Sequence, residues 1–305
     1  NMLELAVDVF NEMKTLNMCQ ATVIFEGFIF RGEIRGGQPN GNGTISYDTG
    51  VFVEGEFKEG EIVEGKITYQ DKSTYEGEFF RYKKHGYGVA RYADGARYEG
   101  QFLNNERQGY GKIFYKDGSV AEGNFINGVM EGQGKYSFSN GDVYIGEFTK
   151  GNIAGAGKYT FIDGSVAEGN FINGVTEGQG KYSFSNGDVY IGDFTKGNIT
   201  GFGKYTYKEG HIYEGTFLNG VSHGKGKTIY KNESVYEGDY KDGYETGIGT
   251  YSQDNGKFVA KGEFVDGLLN GQGKVFWKGT AEFEGEFLGG DRNGDSFVKY
   301  LKQFK

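Results

Sequence analysis

The residues able to do acid–base, nucleophilic or metal chemistry are few and scattered. The chain of 305 residues holds three histidines, His85, His211 and His223, and one cysteine, Cys19. The histidines occupy no common position in the sequence pattern, so neither a metal cluster nor a nucleophile–base pair is indicated. A lone cysteine forms no intrachain disulfide and no cysteine-based zinc site. Two strings look like ligand loops and fail as such. Residues 223–228, HGKGKT, need a glycine at position 221 to complete a phosphate loop, and that residue is Val221. Residues 291–296, DRNGDS, misplace the glycine of a calcium loop and lack its downstream glutamate. Carboxylates are plentiful, but none is singled out as a general acid with a tuned pKa. The reading is a non-enzyme, with no catalytic residue, no cofactor and no metal.

What the composition offers instead is glycine and aromatic rings: 56 Gly, 26 Phe and 23 Tyr beside a single proline, Pro39. A disordered glycine-rich linker would be poor in rings, which need burial. Glycines and rings therefore belong to one ordered, repeated design. The net charge of -9 argues against a phosphate-binding surface, so no nucleic-acid partner is expected. No apolar run approaches the ~20 residues of a membrane span. Glu4, Asp8 and Glu12 are ill suited to a secretory signal. A reducing, cytoplasmic setting fits.

The glycines mark a period. One type, within strings such as YEGEF, recurs at Gly32, Gly55, Gly77, Gly100, Gly123, Gly146, Gly169, Gly192, Gly215, Gly238, Gly262 and Gly285, and nine of the eleven spacings are 23. A second pair, GxG, follows nine and eleven residues later, as at Gly132 and Gly134, Gly155 and Gly157, Gly178 and Gly180. Asn-Gly or Asp-Gly comes near position eighteen, as at Asp117-Gly118, Asn140-Gly141, Asp163-Gly164 and Asn186-Gly187. Residues 117–161 match 163–207 with five differences, a duplication of two units that a quasi-one-dimensional array tolerates.

Within a unit the alternation is that of strands. Tyr144, Gly146 and Phe148 share one face, and Gly155, Gly157, Tyr159 and Phe161 share a face of the next run. Period two with aromatic content predicts two strands per unit, and Asn-Gly or Asp-Gly predicts type I′ hairpins between them. Glycine inside a strand invites a ring from a neighbouring strand to lie across bare backbone. The opposite face is charged. A lysine row runs through Lys112, Lys135, Lys158, Lys181, Lys204 and Lys227, flanked by Glu99, Glu122, Glu147, Glu168, Asp193, Glu214 and Glu237. Interleaving of this kind favours a solvated, ion-paired face over an anionic-lipid surface.

The unit YxGEFxxGxxxGxGxYxFxxGxx, close at Tyr144–Gly164 and in Tyr213–Gly226 (YEGTFLNGVSHGKG), resembles the MORN (membrane occupation and recognition nexus) repeat over about residues 28–300. The resemblance implies an all-β fold: an elongated single-layer antiparallel sheet of tandem hairpins, a twisted rod. It also implies scaffolds of cytoskeletal, ciliary or membrane-junction assemblies, or accessory regions of larger enzymes such as phosphoinositide kinases, and it carries an attribution of phospholipid binding. The unit at Gly55 is one residue short and lacks the GxG pair, which predicts a bulge or kink near 63–73. The unit at Gly238 has Asn232-Glu233 where a turn glycine is usual.

Three segments follow: an N-terminal amphipathic helix or cap over 1–20, an array of about twelve repeats over 21–296, and a basic tail over 297–305. The leading functional reading is a scaffold that binds a helix or extended segment of a protein partner, with a homodimer as a further option. Its groove is lined by Tyr144, Phe148, Tyr159, Phe161, Tyr190, Phe194, Tyr205 and Tyr207. The alternative is an anionic membrane held by Lys112, Lys135, Lys158, Lys181, Lys299 and Lys302.

Overall fold

The computed structural model describes residues 19–278 and 281–290. The expected N-terminal helix and the basic tail, with Lys299 and Lys302, lie outside these residues. Cys19 and Gln20, assigned above to the N-terminal segment, open the first strand, Cys19–Phe25. Twenty-four strands run from there to Ala281–Phe287, and the described residues contain no helix. They fall into two compact units, one ending at Ile153 and the other beginning at Ala154. Each unit is an antiparallel meander of sequential hairpins, all-β as the alternation predicts.

The glycines pair with one another across strands. In the first unit Gly32 faces Gly43, and the row continues through Gly55, Gly65, Gly77, Gly88, Gly100, Gly111, Gly123 and Gly134 to Gly146. In the second unit an equivalent row runs from Gly157 to Gly285. In five repeats a tyrosine two residues before the first glycine of a pair, Tyr75, Tyr98, Tyr190, Tyr213 or Tyr236, lies across both. A Cβ at Gly111 would stand 2.5 Å from Cε2 of Tyr98, and one at Gly203 2.5 Å from Cε2 of Tyr190. Tyr75, Tyr98, Tyr144, Tyr190 and Tyr236 are wholly buried. At Gly111 and Gly203 glycine is required for close approach, not for backbone freedom.

A bulge explains where the tyrosine hydroxyl goes. Register slips between Gly100 and Phe102, and the same slip recurs in most repeats. The extra residues carry a left-handed glycine, such as Gly109 at φ 68° and Gly201 at φ 64°. A bulge leaves backbone polar groups outside the ladder. Tyr98 donates its hydroxyl to the carbonyl of Gln101 at 3.0 Å, the residue skipped by the pairing. Tyr75, Tyr190 and Tyr213 do the same to Glu78 (2.8 Å), Asp193 (3.0 Å) and Thr216 (2.8 Å). Burial pushes the Tyr98 and Tyr190 hydroxyls up to about 12, so both remain donors at any physiological pH. The short unit at Gly55 is bulged as expected, between Glu56 and Phe57 opposite Ile62–Glu64, but a bulge is the rule of the array, not its exception.

The two kinds of hairpin are the reverse of the sequence expectation. At Asp117-Gly118 only the glycine has positive φ (91°), and Tyr115 and Ser119 close a three-residue loop through Tyr115 N–H to Ser119 O at 2.9 Å. This is the loop in which an ordinary turn is followed by a left-handed glycine. Asp117 supports it by accepting the Ser119 N–H at 2.8 Å. Type I′ geometry occurs at the other end of the hairpins, with both residues left-handed: Asn127-Gly128 (49°, 82°) and Asn219-Gly220 (51°, 83°). At the glycine-less turn before Gly238, Glu233 takes the left-handed position at φ 64°.

Three repeats replace the buried tyrosine by alanine: Ala121, Ala167 and Ala260. Over Gly123 and Gly134 the vacated space is filled by Met130; over Gly169 the corresponding side chain is the shorter Thr176.

Three substitutions test this packing. Gly111→Ala should lower the unfolding free energy by about 1–3 kcal/mol, because the Tyr98 ring cannot move aside without leaving its well. Tyr98→Phe should cost about 1–2 kcal/mol by orphaning the Gln101 carbonyl. Thr176→Met, which copies the duplicate repeat, should stabilise by about 1 kcal/mol through added buried methylene surface. Denaturant titration followed by circular dichroism measures all three.

Candidate functional site

The eight rings expected to line one groove separate into two sets. Tyr144, Phe148, Tyr190 and Phe194 are 0–3 % exposed and form the core over the glycine row. They are closed to a partner because the rings stack on one another as well as on backbone. In the second unit Tyr190 meets Phe194 at 5.3 Å and Phe217 at 5.0 Å, and Tyr213 meets Phe217 at 5.0 Å and Tyr240 at 4.8 Å, all edge to face. In the first unit Tyr144 and Phe148 stand 5.4 Å apart in the same manner.

The other four rings are accessible. Tyr159, Phe161 and Tyr205 are partly exposed, and Tyr207 is 41 % exposed. They sit where strands run into the three-residue loops. Tyr190 and Tyr205 are direct cross-strand partners, yet only the first is buried. Tyr190 leans along its strand over the glycines, whereas Tyr205 reaches the loop and donates its hydroxyl to Asp188 at 2.9 Å. Burial, then this hydrogen bond to Asp188, raises the Tyr205 hydroxyl above the ordinary tyrosine range. Asp188, in turn, is held below the usual carboxylate range, chiefly by the Lys208 N–H.

These rings belong to a file that is longer than the sequence reading proposed. Tyr159 touches Phe161 (4.6 Å), Phe161 touches Tyr182 (5.8 Å), Tyr182 touches Phe184 (4.6 Å), and Phe184 touches Tyr205 (5.5 Å). The file continues from Tyr205 to Tyr207 (4.5 Å), His211 (6.3 Å) and Tyr230 (5.7 Å). Tyr182, Phe184 and Tyr230 were not singled out from the sequence. The signal for them was the 23-residue period itself, since Tyr182 and Phe184 stand one repeat beyond Tyr159 and Phe161.

The lysines lie on the opposite face in cross-strand ladders. Lys112 is 3.5 Å from Glu122, and Glu168 stands between Lys158 (3.2 Å) and Lys181 (3.9 Å). Lys135 pairs in register with Glu122 on one side, but Ile145 faces it on the other. Glu147 and Asp193, expected to flank lysines, face Gln133 and Gln179 instead. Glu122 is held below the ordinary carboxylate range, first by a hydrogen bond from Tyr110 (2.7 Å) and further by Lys112 and Lys135. Exposed Tyr87, Tyr110, Phe202 and Ile248 also lie on this face, between the two glycines of their GxG pairs, and interrupt its charge. Among the described residues no cluster of His, Cys, Asp and Glu could hold a metal ion, and no helix is long and apolar enough to cross a membrane.

Comparison with known proteins bears on the fold. A search of curated proteins finds no match. Among solved structures, the SAS-4 (dCPAP) TCP domain of Drosophila melanogaster, in complex with a proline-rich motif of Ana2 (dSTIL), is 15% identical with a TM-score of 0.35, covering 50% of this chain and 84% of that one. The wild-type TCP10 domain of Danio rerio CPAP is 15% identical with a TM-score of 0.30, covering 72% of this chain and 94% of that one. Virginiamycin B lyase from Staphylococcus aureus is 12% identical with a TM-score of 0.13, covering 82% of this chain and 84% of that one. At these values the likenesses carry no functional argument. The family model of the MORN repeat, in contrast, matches ten segments: residues 30–51, 75–97, 98–120, 122–143, 144–166, 168–189, 190–212, 213–235, 236–258 and 261–279. With most of its length so matched, the chain belongs to the MORN-repeat family.

Proposed function

We propose that this protein is a non-catalytic scaffold that binds an extended or helical segment of a protein partner along the outer ring file of its second unit. The observation that carries this reading is the partial exposure of a run of touching rings, from Tyr159 to Tyr230, beside a core that is already closed. Rings held in place by their neighbours give large contact area with little rotamer entropy left to lose. A contiguous apolar strip of this kind is the usual mark of an interaction surface. The inner rings supply rigidity, and the file supplies the surface.

An anionic membrane is the weaker reading. Lys112, Lys158 and Lys181 each have a carboxylate within 4 Å on the same face, and the chain is acidic overall. A vesicle of anionic lipid would have to displace those carboxylates as well as counterions. A cytoplasmic site of action, and a place in a cytoskeletal, ciliary or membrane-junction assembly, belong to the same proposal through the family.

The test compares two surface variants in binding to a purified partner, with circular dichroism as the folding control. Replacing Phe161, Phe184 and Tyr207 by Ser should weaken partner binding at least about tenfold, the loss of one or two anchor rings. Replacing Lys112, Lys158 and Lys181 by Glu should leave it within about twofold, as is usual for exposed charges. Loss of binding in the lysine variant but not in the ring variant would place the partner on the charged face.

A further inference from the structure

At one point the ring file widens into a cavity of about 350 Å³. Its walls include Tyr207, His211, Tyr230 and Tyr240, and its lining carries two carboxylates, Glu209 and Glu245, but neither lysine nor arginine. Glu245 is only 5 % exposed and accepts a hydrogen bond from the Tyr230 hydroxyl. Tyr240 is fixed by a 2.6 Å hydrogen bond with Thr228. Aromatic rings and a buried carboxylate line one small space. A low-dielectric site of this composition favours positive charge and tolerates its hydrophobic substituents.

Among the described residues, two other repeats of the same chain place a cation at this position, which is uncharged in the remaining ones, as at Met130 and Thr176. Glu245 stands seven residues after Gly238, and Lys84 and Arg107 stand seven after Gly77 and Gly100. Lys84 places its ammonium 5.2 Å from the centroid of Tyr69 and 5.1 Å from that of Tyr75. Arg107 places its guanidinium 5.7 Å from Tyr98 and 5.6 Å from Phe125. Tyr69 precedes its anchor glycine by eight residues, as Tyr230 precedes Gly238. The ring frame around Lys84 shares one position with this cavity, Tyr69 there and Tyr230 here, and Glu245 puts a carboxylate where that repeat has its ammonium.

We propose that the cavity bounded by Tyr207, His211, Tyr230, Tyr240 and Glu245 binds a small alkylated ammonium ion of the choline type beside the Glu245 carboxylate. The carboxylate supplies the counter-charge and the rings face the N-methyl groups. The site shares Tyr207, His211 and Tyr230 with the ring file, but a free cation occupies it with no protein partner present, so the two readings fail separately.

The test is a titration of the full chain with choline and with tetramethylammonium at constant ionic strength, read by calorimetry or by saturation-transfer NMR. The control is 3,3-dimethylbutan-1-ol, the neutral carbon isostere of choline. Saturable choline binding with an affinity at least about tenfold above that of the alcohol is expected, since cation–π attraction acts only on the charged ligand. Glu245→Gln should weaken choline at least about tenfold, and Glu245→Lys should abolish binding by seating its own ammonium in the frame, with circular dichroism spectra like the parent in both. Equal binding of choline and the alcohol would overturn the proposal. So would the absence of saturable choline binding to the folded parent, or unchanged affinity in folded Glu245→Gln.

Discussion

The fold depends on one contact: a tyrosine ring laid across two facing glycines, with its hydroxyl in the bulge beyond them. Glycine alone would weaken a strand, and a bulge alone would strand a carbonyl. The ring covers the first fault and its hydroxyl mends the second, so each defect is the condition for correcting the other. Because Tyr98 over Gly100 and Gly111 is repeated as Tyr75, Tyr190, Tyr213 and Tyr236 over their own glycine pairs, the sheet has a buried core without any helix among the described residues. The phenylalanine that follows most anchor glycines by two residues closes that core edge to face, so burial passes from one repeat to the next.

This arrangement fixes what remains for function. With the inner rings committed, the aromatic residues that flank the three-residue loops are the ones left to solvent, and their spacing makes them touch. On the other face, cross-strand register places Lys158 beside Glu168 and Lys112 beside Glu122. Pairs this exposed contribute little to stability. What they do is neutralise a face that would otherwise be a basic stripe. Local departures from the repeat then become specific features. One position, seven residues after the anchor glycine, holds Met130, Thr176, Lys84, Arg107 or Glu245 in different repeats, and so differs in size and in sign of charge.

Much of this was legible in the sequence, for a physical reason. Side-chain alternation of two and a glycine at a fixed phase leave few alternatives to a hairpin array with rings on the glycine face. The division between buried Tyr190 and accessible Tyr205 was not legible, because both have the phase of the same face and are direct cross-strand partners. The bulge decides between them by giving only Tyr190 a carbonyl to reach. The hairpins were misplaced for a related reason: Asn-Gly and Asp-Gly serve both loop types, and only the backbone distinguishes one left-handed residue at Gly118 from two at Asn127-Gly128. The cavity at Glu245 left a trace in the sequence, a carboxylate at a position that is basic in two other repeats. That trace gains meaning only once the rings around the position are placed.

The most direct measurement is a double-mutant cycle on the first unit, with unfolding free energies for the parent, Gly111→Ala, Tyr98→Ala and the double variant. The three atoms nearest to a Cβ at Gly111 all belong to Tyr98. The alanine should therefore be destabilising under the ring and nearly neutral once the ring is gone, with a coupling above about 1 kcal/mol. Additive effects of the two substitutions would contradict the account, because the glycine would then be required for some reason other than the ring that covers it.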